Sequence, residues 1–241
     1  MAISPDGNEI YWDVDNKIWF TKLENGRWTK PEMLPFCKGD SYLYRVPFII
    51  PSGKKMFFVS TRSGAVSQEK ENIWYSERTS SGWSDPKPVN AEVNALRLHW
   101  SISVSDSGTL YFQGSGEDSR GGSGDIYYSK LINGVHTKPV NMGPEMNTQA
   151  IETCPHIAPD ESYIIFNRFD QTDPKNTGIF ICYRDKSGKW LPAVMALGGS
   201  KDKGGLSPRI SPDGKYLFFV RGSEGMWWMP AKLVDVLRPK E

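Results

Sequence analysis

Five aromatic-rich apolar runs recur along the chain: EIYWDV (9–14), KMFFVS (55–60), TLYFQG (109–114), YIIFNR (163–168) and YLFFVR (216–221). Each is too short and too rich in Tyr, Phe, Val and Ile for an amphipathic helix, and each is bounded by turn residues, so each is read as a strand. A four-residue turn precedes every run, at Ser4–Gly7, Ile50–Gly53, Ser105–Gly108, Ala158–Glu161 and Ser211–Gly214. In front of the later four turns lie shorter apolar segments, VPFII, SISVS, CPHIA and SPRIS. Pro presets φ and Asp and Gly tolerate the turn conformations, so each pair of segments is a hairpin. A third strand follows a variable loop, as KIWFTKL, NIWYSER, DIYYSKL, GIFICYR and GMWWMPA. A fourth appears in the first four repeats only, as NGRWTKP, SGWSDPK, NGVHTKP and SGKWLPA.

The last turn positions, 7, 53, 108, 161 and 214, are spaced by 46, 55, 53 and 53 residues. That period suits a propeller blade rather than a helical repeat. Pro31, Pro86, Pro139 and Pro192 recur in the fourth strands. Proline cannot donate to a ladder, which puts these strands at the outer edge of each sheet. The expected fold is all-β: one five-bladed propeller of four-stranded antiparallel blades, with a three-stranded last blade and the ring held by packing between blades. Blades are expected near 1–36, 37–90, 91–143, 144–199 and 200–232, with a helical turn or tail at 233–241, where Leu233, Val236 and Leu237 recur at helical spacing. Trp227, Trp228, Tyr127 and Tyr128 are expected to pack between neighbouring blades.

The motif SPDGNEIYW, the motif SPDGKYLFFV and the DIYY and NIWY strands resemble the TolB-like, WD-repeat-like β-propeller family over nearly the whole chain. Ser52 in place of Asp and Glu161 in place of Gly depart from its turn pattern. The resemblance implies a propeller, and for function a range from periplasmic binding modules to peptidase gating domains. It also implies a periplasmic or extracellular location. The start MAISPDG has no signal-peptide pattern and lies almost inside the first repeat, as if an upstream segment had been processed or omitted.

Composition narrows the chemistry. The 29 basic and 28 acidic residues leave a net charge of +1, so no single-sign field invites nucleic acid. No run approaches the length of a membrane span, so no membrane insertion is expected. Cys37, Cys154 and Cys182 form no CxxC pair and are read as packing residues or free thiols. A monomer is expected.

Loops carry function in such folds, and the long divergent loops here, including 37–45, 61–71, 90–100, 114–124, 141–153, 168–178 and 198–206, should share one face. Where they enter the innermost strands stand Tyr44, Arg45, Arg97, His99, Trp100, Glu152, His156 and Arg209, chemistry suited to a carboxylate or a sugar. The plainer alternative is that these groups satisfy one another around a water-filled channel. His99 and His156 are only two candidate metal ligands, because His136 sits in an outer strand, and three are usual in catalytic sites. GSGEDSRGGSGD lacks the spacing of a P-loop or an EF-hand. Equivalent axial positions carry Ala2, Phe48, Ser103, His156 and Arg209, without the carboxylates a glycosidase needs. The leading expectation is therefore a non-enzymatic module with no cofactor or metal, binding a protein, peptide or glycan. A metal-assisted lyase or hydrolase acting on acidic carbohydrate is the alternative.

Overall fold

The computed structural model describes residues 1–64, 71–97, 100–121, 124–198 and 205–240. They form five antiparallel sheets arranged as propeller blades, with a separate two-stranded ribbon, Leu131–Ile132 and Val135–His136, at the outer end of the third. The innermost strands are Ala2–Ile3, Tyr44–Ile49, Ile102–Val104, Ile151–Ile157 and Leu206–Ile210. Second strands run Glu9–Val14, Lys55–Ser60, Leu110–Gly114, Tyr163–Phe169 and Tyr216–Arg221, and third strands Lys17–Glu24, Asn72–Thr79, Asp125–Ser129, Gly178–Tyr183 and Gly225–Pro230. The fifth sheet stops at three strands, and a single helical turn, Leu233–Val236, follows it.

The hairpin turns form for local reasons. In the first, Ser4 Oγ donates to Asp6 Oδ1 at 2.5 Å, Asp6 accepts from the Asn8 amide, and Gly7 takes φ 74° while its amide reaches the Ser4 carbonyl. Ser211, Asp213 and Gly214 repeat the arrangement in the fifth. At the fourth turn Glu161 takes the left-handed φ of 60° where the others have glycine. Its carboxylate compensates by accepting from Ser105 and Ser107 of the third blade's turn, at 2.7 Å each, and from Arg184 at 2.9 Å. Those donors outweigh the opposing effect of burial and hold its pKa down near 2.

The outer-strand prolines act as expected of groups that cannot donate. The fourth strand of blade one is split into Arg27–Trp28 and Glu32–Met33, and that of blade two into Gly82–Trp83 and Lys87–Pro88. A hydroxyl from the third strand ties each outer strand down: Thr21 donates to the Thr29 carbonyl, Ser76 to Ser84 and Ser129 to Thr137. Cys182 occupies the same place in blade four, its thiol 2.7 Å from the Leu191 carbonyl. All three cysteines are free thiols.

Four buried cores join the blades. Tyr11 and Ile18 meet Tyr44 and Phe58 between the first and second. Phe57 and Ile73 meet Ile102 and Phe112 at the next junction, Tyr111 and Ile126 meet Phe166 and Phe180 after it, and Ile165 and Ile181 meet Leu217 and Phe219 at the last. Each large apolar side chain buried this way contributes roughly 1.5–3 kcal/mol. Among the described residues no fifth core joins blade five to blade one. The packing expected all round the ring is therefore interrupted once, and the side chains show it. Outer-strand Trp83 lies edge-on to Tyr11 of the preceding blade, whereas Trp28, with no such neighbour, is 46% exposed. Trp227 and Trp228, expected in the core, are exposed instead, Trp228 by 60%. Their strand lacks a fourth strand on its outer side and a blade on its far face. Tyr127 is buried as expected and Tyr128 packs against the third core.

Candidate functional site

Where the innermost strands meet the loop-rich face, those of blades two, four and five are bulged. The register shifts between Arg45 and Phe48, between Thr153 and His156, and between Leu206 and Arg209. The bulge residues Val46, Cys154 and Ser207 have φ of 47°, 54° and 53°, and Ser101, at the equivalent place in blade three, has φ 141°. A β-branched or bulky residue in that region is strained, and such residues persist only where the surroundings over-determine them. Here the Val46 amide is held by Asp13 Oδ1 and the Ser207 amide by Asn167 Oδ1, while the Cys154 sulfur lies 3.4 Å from both the Ser101 and Ser207 hydroxyls. The sequence carried a signal for all three bulges, since Pro47, Pro155 and Pro208 each follow one, and proline inside a strand marks a bulge.

One rim constellation stands on these bulges. Arg45 donates from Nε and Nη2 to Asn16 Oδ1 at 2.9 and 2.6 Å and lies 3.8 Å from Glu71. Glu71 also accepts from the Trp100 indole at 3.0 Å. Trp100 is 54% exposed, yet its orientation is fixed. Three blades thus contribute to one aromatic and cationic patch. Glu71 and Asn16 were not among the residues singled out by sequence. Glu71 ends the long loop 61–71, but Asn16 comes from the two-residue turn Asp15–Asn16, whose positive φ values fit a tight hairpin.

The other sequence candidates go elsewhere. Tyr44 is fully buried in the first interblade core, its hydroxyl donating to Asp40 at 2.7 Å. Glu152 is likewise fully buried, accepting from Arg168 at 2.8 Å and from the Thr148 hydroxyl at 2.7 Å. Burial pushes its pKa up against the pull of those donors. Arg97 pairs through its backbone with Ser115 and lines a shallow recess with Asp118 and Tyr127. His99 lies outside the described residues. His136 is held edge-on to Phe57 of the preceding blade, away from the axis. Among the described residues no three His, Cys, Asp or Glu side chains cluster so as to hold a metal ion.

His156 and Arg209 come together in a second place, an axial cavity of about 360 Å³. It is walled by innermost strands and by the hairpin turns, with Pro5, Pro51, Pro159 and Pro212 around its mouth, so it opens on the face opposite the long loops. Phe48 stands edge-on to His156, ring centroids 6.4 Å apart. Burial, helped by the Arg209 charge, pushes the His156 pKa down to about 3. The imidazole is therefore neutral in the native protein across the range where it charges once unfolded. The sign follows: the unfolded chain binds the extra proton between about pH 6.5 and 3, so this contribution to stability is complete above 6.5 and lost as pH falls through that window. His156→Asn should flatten the fall in unfolding free energy over that interval, as measured by urea denaturation at stepped pH. Parallel curves for the two proteins would contradict the burial of the neutral ring.

No family model matches the chain, and no curated protein matches it. Solved structures do. TolB from Acinetobacter baumannii superposes with a TM-score of 0.59 at 14% identity, covering 95% of this chain and 51% of that one. The nidogen/laminin complex gives 0.61 at 12%, covering 93% and 74%, and the α-L-arabinofuranosidase from Lactobacillus brevis 0.56 at 12%, covering 92% and 88%. The chain spans about half the length of that TolB structure. At these identities the likeness is one of fold, TolB-like in architecture, and it extends over binding proteins and enzymes alike. No helix among the described residues is long and apolar enough to cross a membrane.

Proposed function

We propose that this propeller is a non-enzymatic binding module that captures a protein or peptide segment on its loop-rich face. The observation that carries the reading is Trp100, exposed yet fixed by Glu71, with Arg45 beside it at the axial rim. A rigid aromatic platform next to a guanidinium is the chemistry of interface hot spots, because large contact area is gained with little ordering cost. The axial positions favour binding over glycoside hydrolysis, since Ala2, Phe48, Ser103, His156 and Arg209 offer no carboxylate pair. The solved nidogen/laminin complex, one chain of which shares this fold, supports protein capture by such a propeller, and the likeness to TolB supports a periplasmic or extracellular setting. Nucleic acid is not the partner on this reading, as the charges balance.

Peptide display against the intact protein tests this. Selected peptides should bind the variant Arg45→Ala/Trp100→Ala roughly thirty-fold more weakly, the scale of a hot-spot loss. Peptides that bind both proteins equally would remove this rim from consideration. Glycan-array binding that depends on Trp100, with no peptide enriched, would overturn the protein-partner reading in favour of a sugar.

A further inference from the structure

The axial cavity on the turn face holds a cation without a counter-ion. Arg209 Nη1 donates to the Pro155 and Pro208 carbonyls, at 3.1 Å each, and its Nε and Nη2 have no partner among the described residues. Among the described residues no carboxylate stands near enough to offset its charge. Asp213 is the one acidic residue lining the space, and it belongs to the mouth, where Ser211, the Lys215 amide and the Lys215 ammonium, 3.2 Å away, already engage it. Beside Arg209, His156 Nδ1 is buried with no hydrogen-bond partner. Most of the remaining wall is apolar, including Phe48, Val104, Ile157 and Phe218, with Met1, Tyr163 and Ser211 among the other lining residues. A buried polar atom and an uncompensated guanidinium are both unfavourable unless something completes them.

We propose that this cavity is a binding site for a small organic monocarboxylate, its carboxylate paired with the free edge of Arg209 and its apolar body lying along Phe48, Val104 and Phe218. The charge selects the class. One guanidinium edge matches one carboxylate in a two-point pair. The volume lies within the range of small-ligand pockets. The site is separate from the loop-face rim, so its failure and that of the partner reading are independent.

Hexanoate, hexan-1-ol and acetate, titrated calorimetrically into the full chain, separate the two halves of the proposal. Hexanoate should bind at least about tenfold more tightly than either of the others, since only it carries both charge and apolar body. The imidazole proton signal of His156, identified by its loss in His156→Asn, should move with hexanoate and stay still with acetate at the same concentration. Arg209→Met should reduce hexanoate affinity about tenfold while leaving hexanol unchanged. Hexanoate that binds no better than hexanol, acetate that matches hexanoate, or binding that leaves the His156 signal in place would each overturn the site. Should Arg209→Met not fold, the comparison of three ligands on the unaltered protein and the His156 signal still decide.

Discussion

Arg168→Met is expected to lower the unfolding free energy by about 3–5 kcal/mol, because it strands the Glu152 carboxylate in the fourth blade without its counter-ion. Glu152 is fully buried and Arg168 nearly so. The guanidinium also donates from Nη2 to the Met146 carbonyl at 2.9 Å and lies over the Phe180 ring, so three interactions go together. Urea unfolding would show the effect as a lower midpoint at unchanged slope. The deficit should narrow at acid pH, where Glu152 takes up a proton and the stranded charge disappears. Restoring neutrality in the double variant Arg168→Met/Glu152→Gln should recover part of the loss. A change below about 1 kcal/mol would mean that water reaches this pair and that the blade is looser than described.

Asn94→Leu is the second large effect, expected at about 3 kcal/mol or more. The Asn94 side chain imitates a strand. Its Oδ1 accepts from the Ile73 amide at 2.8 Å, and its Nδ2 donates to the Ile73 and Val89 carbonyls at 3.2 and 3.0 Å. It is fully buried, so leucine would leave the Ile73 amide and the Val89 carbonyl without water or this partner, each worth about 1–3 kcal/mol, while the Ile73 carbonyl keeps the Val89 amide at 2.9 Å. Asn147 does the same one blade on, accepting from the Ile126 amide and donating to its carbonyl, both at 2.9 Å. Hydrogen exchange of the Ile73 amide gives a local readout, and it should quicken in Asn94→Leu before the other blades respond. Exchange at Ile73 no faster than in the unaltered protein would show that the asparagine is not what closes this strand.

Much of the fold was legible because its determinants are local. The Ser-x-Asp-Gly turn closes through bonds spanning five residues, and the aromatic runs behind it alternate faces with a period of two. The outer prolines marked the sheet edge correctly for the same reason. Readings about the site were legible only in part. Arg45 and Trp100 reach the rim because they precede Val46 and Ser101, residues of positive φ; Pro47 marks the first of these places, and nothing in a side chain's identity announces the second. Tyr44 and Glu152, beside equally plausible rim residues, turn inward and are satisfied in the interior. A polar tip reads the same in sequence whether its partner is a ligand or Asp40.

By itself the sequence determined the number of blades, the strand count of the last, the turn chemistry and the absence of carboxylates at the five axial positions. Each of these depends on residues close in the chain or on identity at a repeated position. Only the tertiary structure decided that, among the described residues, blade five meets blade one without a core, that Trp227 and Trp228 are therefore exposed, and that His156 and Arg209 share a cavity opening on the turn face. Those outcomes depend on how wedges separated by roughly fifty residues or more sit against one another. Their relative rotation is set by the summed shape of all their packed faces, which no single repeat encodes.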